Sequence, residues 1–143
     1  MEELRLGDQR IRYDRESTAA AYRLLSSGCT DKCRCDGCRN FVLQREAAYP
    51  PAFRAILDQM GIDPKKEDDV HEIGVVVDGM CPYGGWLLLV GEIIEAGESV
   101  AAVAKDFQCF FRPARRPACF GDRVLAIEFI TKIRWLLAED PTA

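Results

Sequence analysis

Histidine is nearly missing: His71 is the only one in 143 residues. Imidazole-based metal sites and hydrolase triads are thereby disfavoured, because both are built around well-held histidine nitrogens. Basic charge is not in excess. Nineteen Lys and Arg against 23 Asp and Glu leave a net charge of −4. A nucleic-acid partner is therefore not expected, since a phosphate backbone calls for a basic surface. No apolar run approaches the roughly 20 residues of a membrane-spanning helix. The start, Met1-Glu2-Glu3-Leu4-Arg5, has neither the basic opening nor the apolar stretch of a secretory leader. The expectation is a cytoplasmic protein with no membrane contact. Internal repeats, low-complexity tracts and charged tails are also lacking.

What is present suits one core. Hydrophobic residues make up 48% and charged residues 29%, so residues 1–143 are expected to form a single domain. Seven cysteines stand at 29, 33, 35, 38, 81, 109 and 119. Their number is odd and four crowd together, which favours reduced thiols over a disulfide framework.

Hydrophobic periodicity changes near residue 70. Residues 4–13 read as an edge strand carrying Ile11 and Tyr13 on one face. Ala21, Leu24 and Leu25 suggest a short helix capped by Ser17 and ended by Gly28. A second helix is expected over Arg39 to Tyr49. Pro50-Pro51 ends it and opens a third, whose Phe53, Ile56, Leu57 and Met60 form one stripe. Gly61 suits the left-handed position after that helix, with Ile62 closing over its last turn. Beyond residue 70 the period is two. Ile73, Val75 and Val77 alternate, Asp78-Gly79 and Gly84-Gly85 punctuate, Trp86–Val90 follows, and Gly91 suggests a bulge. Phe107, Cys109 and Phe111 alternate next; residues 113–122 read as a loop. Leu125, Ile127, Phe129, Thr131, Ile133, Trp135 and Leu137 share one parity, as in a long strand or two joined at a bend. The predicted class is α+β, with N-terminal helices (residues 1–70) packed on a C-terminal antiparallel meander, curved or sandwich-like (residues 71–143).

The segment Cys29-Thr30-Asp31-Lys32-Cys33-Arg34-Cys35-Asp36-Gly37-Cys38 has the spacing C-x3-C-x-C-x2-C. Zinc takes four tetrahedral ligands, and a short loop can wrap it when a tight turn is available. Gly37 supplies that turn, since it tolerates a positive φ. Lys32, Arg34 and Arg39 would offset part of the thiolate charge. Cys38 would open the following helix, where N–H groups favour a thiolate. Cys33, Cys35 and Cys38 are the metal-ligand candidates. Cys29 is the nearest fourth, and Cys81 or Cys119 are substitutes from elsewhere in the fold. Zinc is the expected cofactor if one is present, in a structural role. The alternative is a thiol–disulfide oxidoreductase using Cys35 and Cys38 as a C-x2-C pair before a helix, although the parallel sheet usual for that chemistry is not indicated. The radical-enzyme pattern C-x3-C-x2-C fails because Asp36 stands where its third cysteine belongs.

The run Cys33-Arg34-Cys35-Asp36-Gly37-Cys38-Arg39-Asn40-Phe41 resembles the CxCxxCRNF signature of a small bacterial protein family with no established activity. Gly61-Ile62-Asp63-Pro64, Tyr83-Gly84-Gly85-Trp86 with Val90-Gly91, Ile127-Glu128-Phe129 and Trp135-Leu136-Leu137 match it in order, from about 33 to 137. The resemblance implies that Cys33, Cys35 and Cys38 are the heart of the motif, and it implies no reaction.

Four further features have both a functional and an ordinary reading. Tyr83, Gly84, Gly85 and Trp86 could line a ligand groove for a protein or peptide partner; a hairpin turn with a core tryptophan is the simpler account. Arg112, Arg115 and Arg116 beside Phe110 and Phe111 could hold an anion or nucleic acid by charge and stacking, or form a solvated loop, which the acidic total favours. Glu92, Glu95 and Glu98 cannot share a strand face, so a solvated edge is expected. Glu67-Asp68-Asp69 beside Lys65 and Lys66 reads as a solvated charge run rather than a hard-cation site, and His71 as an ordinary residue at a strand start.

Overall fold

A computed structural model describes residues 1–115 and 117–138. It is α+β, as expected, and all its strand pairings are antiparallel. Strands β1 (Glu2–Leu6) and β2 (Gln9–Tyr13) come first. The helices α1 (Arg15–Leu24), α2 (Cys29–Lys32), α3 (Asp36–Leu43), α4 (Arg45–Ala48) and α5 (Pro51–Met60) follow. Strands β3 (Asp69–Glu72), β4 (Met80–Glu95), β5 (Ala101–Ala104), β6 (Phe107–Ala114) and β7 (Val124–Arg134) complete the sheet, with a short 3-10 turn at Ala118–Phe120. The strand order is β1-β2-β4-β7-β6-β5, and β3 also pairs with β4. Thus β5, β6 and β7 form a meander, and β7 lies beside the long β4 from Val90↔Val124 to Met80↔Arg134. Among the described residues no helix is long and apolar enough to cross a membrane.

Local chemistry explains several boundaries. Residues 4–13 are a hairpin rather than one strand, because the chain turns at Gly7 with φ 61°. Asp14, not Ser17, caps α1: its carboxylate accepts from the Ser17 N–H at 3.0 Å and from the Ser17 hydroxyl at 2.8 Å. The helix then ends at Leu25, ahead of Gly28. The cysteine helix starts at Asp36, three residues earlier than periodicity suggests, and Gln44 interrupts it. Helix α5 matches expectation. Gly61 is left-handed at φ 78°, and the Ile62 N–H donates to Leu57 O at 3.0 Å, which is the Schellman closure.

Two strand expectations need correction. Ile73, Val75 and Val77 alternate in sequence but lie exposed between β3 and β4. Asp78 and Gly79 both have positive φ, and Val77 and Met80 exchange two backbone hydrogen bonds at 2.8 and 3.0 Å. That is the two-residue hairpin turn favoured by Asp-Gly. In turn, Gly84-Gly85 does not interrupt anything; β4 runs straight through it. A Cβ at Gly85 would sit 2.5 Å from Asp69 O and 2.8 Å from the Phe129 ring, so glycine lets β3 and the core close on β4. The bulge falls at Ile94, skipped between Arg10↔Glu95 and Ile11↔Ile93, while Gly91 pairs normally with Tyr13.

The core lies between the helices and the concave face of the sheet. Phe41 and Phe53 from the helices and Tyr49 at the α4 terminus pack on Phe107 and Phe129, with centroid separations from 4.6 to 6.5 Å. Between β2 and β3 the edge of β4 is filled by α1. There Tyr22 donates to Leu88 O at 2.6 Å, and the Thr18 hydroxyl accepts from Val90 N at 2.9 Å. Across the open end of the sheet, the Gln9 amide copies a strand: it donates to Phe111 O at 2.8 Å and accepts from Phe111 N at 2.7 Å.

Candidate metal centre

The α2–α3 junction brings the three motif cysteines together. Cys33 closes α2, its N–H donating to Cys29 O at 2.9 Å. Arg34 spans one residue, and Cys35 becomes the N-cap of α3 with an extended backbone. Its sulfur accepts from the Cys38 N–H at 3.4 Å, the position a serine or aspartate oxygen usually takes. One turn into the helix, Cys38 faces back toward the junction. All three Sγ atoms lie within 4.8 Å of one another. Cys33 and Cys35 are exposed, whereas Cys38 is only 5% exposed.

This packing splits the thiols. The Cys35 backbone N–H and the thiols of Cys35 and Cys38 donate toward Cys33, which lowers its pKa. Burial pushes Cys38 the other way, and the neighbouring thiols add to the effect. Among the expected basic neighbours, Arg39 is already engaged, bonding to Asp36 at 2.9 Å on the exposed side of α3.

The platform beneath the cluster is rigid. Tyr83, fully buried on β4, donates to Gly37 O at 2.6 Å. Asn40, also fully buried, donates to Arg134 O at 3.0 Å and accepts from Leu136 N at 2.7 Å. Phe41 stands in the aromatic core. The Asn40-Phe41 pair therefore anchors the helix: Asn40 ties it to the end of β7, and Phe41 to the interior.

The remaining candidates are scattered. Cys29 is not in the group; its half-buried thiol is pushed up to about 12 by burial and by Asp69 and Glu67. It lines a separate cavity of about 310 Å³ with Lys66 and Phe120. Cys81 is fully buried, its thiol 3.8 Å from Gly74 O, and Cys119 lies on the 3-10 turn. Neither reaches the cluster. Tyr83, Gly84, Gly85 and Trp86 do not line one groove, because alternation along β4 sends Tyr83 into the core and Trp86 to the outer face. There the Trp86 ring stacks under Arg112 at 4.6 Å. Arg112 also bonds Glu128 at 2.6 Å, so it is not a free anion site, and Arg116 lies outside the described residues. Glu92 and Glu95 form cross-strand pairs with Arg12 and with Arg5 and Arg10.

Glu67 overturns the solvated reading of the acidic run. Its side chain is fully buried, held by Arg45 at 2.8 and 3.1 Å and by the Tyr49 hydroxyl at 2.8 Å. Arg45 also donates to the Thr30 hydroxyl at 2.7 Å, so this ion pair links α4 to α2. Asp68 accepts from the Trp86 indole, and Asp69 pairs with His71 at 2.6 Å. Comparison with protein-family models, curated proteins and solved structures finds no match for the chain. The site is accordingly read from its own chemistry.

Proposed function

We propose that Cys33, Cys35 and Cys38 bind a thiophilic divalent cation, zinc foremost, and that the filled site is a structural clamp in a binding module. The supporting observation is the mutual approach of three sulfurs within 4.8 Å. Zinc–sulfur bonds of about 2.3 Å in a tetrahedron place sulfurs roughly 3.8 Å apart, so filling the site requires only a modest contraction. A cation there would join the end of α2 to the start of α3, at a point already fixed to β4 and β7 by Tyr83 and Asn40. The test is the metal content of protein purified without chelator, with melting temperature before and after chelation. A stoichiometric ion and a lower melting point without it support the clamp; an empty protein of unchanged stability excludes it.

One observation favours a second reading. Cys35 is exposed at the mouth of α3 with Cys38 buried behind it, the arrangement of an attacking and a resolving thiol. Cys35 thiolate would attack a substrate disulfide, releasing one substrate thiolate. Cys38 thiolate would then attack the mixed disulfide, releasing the second and leaving Cys35–Cys38 oxidised. This reading requires a Cys35–Cys38 disulfide that a thiol reductant reverses, and loss of exchange in Cys35→Ser.

A further inference from the structure

Three sulfurs leave one position of a tetrahedron open, and a carboxylate lies against the helix turn that carries two of them. Glu72 is the last residue of β3 and pairs directly with Tyr83. Tyr83 reaches Gly37 O, and the Glu72 carboxylate lies against the same glycine. A Cβ added at Gly37 would overlap all three carboxyl atoms of Glu72. Gly37 lies in the first turn of α3 without a left-handed φ, so it is not the tight-turn residue expected from the sequence. Its missing side chain lets the Glu72 carboxylate lie against the start of α3. The carboxylate is half-buried, and among the described residues no hydrogen bond or salt bridge engages it. A half-buried carboxylate with no cation partner among the described residues is free to take a metal ion.

We propose that Glu72 is the fourth metal ligand, making the centre Cys3Glu. The inference rests on the thiolate-metal reading above. Zinc accepts carboxylate oxygen at about 2.0–2.2 Å alongside thiolates. The group of mutually close ligand atoms holds the three sulfurs alone, so the Glu72 oxygen must swing from Gly37 toward them to complete the site.

The test is titration of the reduced, metal-free chain with cobalt(II), whose visible spectrum reports tetrahedral thiolate coordination, followed by zinc competition. The wild type should take up one equivalent. Glu72→Gln should weaken binding at least about tenfold and alter the ligand-field bands, while Cys35→Ser weakens it further. Glu72→His, which restores a competent ligand, should recover much of the affinity even if the glutamine variant folds poorly. A wild type that takes up no cobalt removes the thiolate reading and this inference together. A wild type that binds, with Glu72→Gln equal to it in affinity and spectrum, or Glu72→His as weak as Glu72→Gln, overturns the Glu72 assignment alone.

Discussion

Asn40 sets how the cysteine helix sits on the sheet. Its amide serves Arg134 O and Leu136 N from a fully buried position. Asn40→Ala should cost about 1–3 kcal/mol, because it leaves the Leu136 N–H without its acceptor, while Arg134 O keeps the Gln44 amide at 2.6 Å; urea denaturation measures it, and a cost below about 0.5 kcal/mol contradicts this role. The thiols are also separable one by one. In the metal-free protein at neutral pH, peptide mapping after brief alkylation should find Cys33 modified ahead of Cys38, since donors lower the first and burial raises the second. Equal modification contradicts the split. The three cysteines were legible in the sequence because their spacing is local. Glu67 was not. Its partner Arg45 is 22 residues away, and no pattern within an acidic run says which carboxylate turns inward. Arg45→Met should cost about 3–5 kcal/mol in the same denaturation assay, because it leaves that carboxylate buried without its cation.

Elements follow the same division between near and far. Helix α5 was readable to its ends: a proline at the first position, one apolar stripe and a glycine stop all act within a few residues. The Asp-Gly turn was readable too, but its consequence was not. It fixes β4 as beginning at Met80, which leaves Ile73, Val75 and Val77 outside the ladder despite their alternation. Gly84-Gly85 misleads for a related reason, since those glycines answer the approach of β3 and Phe129, which are distant in sequence. At α1 the cap lay one turn earlier than the apolar pattern indicated. Asp14→Ala should destabilise the protein by about 1 kcal/mol at neutral pH. Hydrogen bonds from Ser17 lower the Asp14 pKa in the folded state. The charged cap is therefore fully effective above the unfolded value near 3.9 and fades as pH falls through the folded one. The difference between wild type and Asp14→Ala should shrink accordingly; a constant difference down to pH 2 contradicts the cap.

At the scale of the molecule, the helices and sheet are locked by one aromatic core, and the cysteine junction sits at its margin. Burial raises the thiols of Cys29 and Cys109 to about 12 and also raises the hydroxyls of Tyr22, Tyr49 and Tyr83. Raised folded values mean stability that is complete below the unfolded thiol pKa near 8.5 and lost progressively as pH climbs toward 12. The α+β class was legible because period 3.6 gives way to period 2 along the chain. The hairpin β1–β2 escaped that division, since its place in the sheet depends on long-range pairing with β4.

The metal content of reduced, chelator-free protein, measured with a free-thiol count on the same sample, tests the clamp most directly. The account predicts one zinc per chain and three thiols shielded from a mild thiol reagent until the ion is removed, with Cys33→Ser or Cys38→Ser abolishing both. No bound metal, with the three thiols reacting like unshielded cysteines, would contradict it.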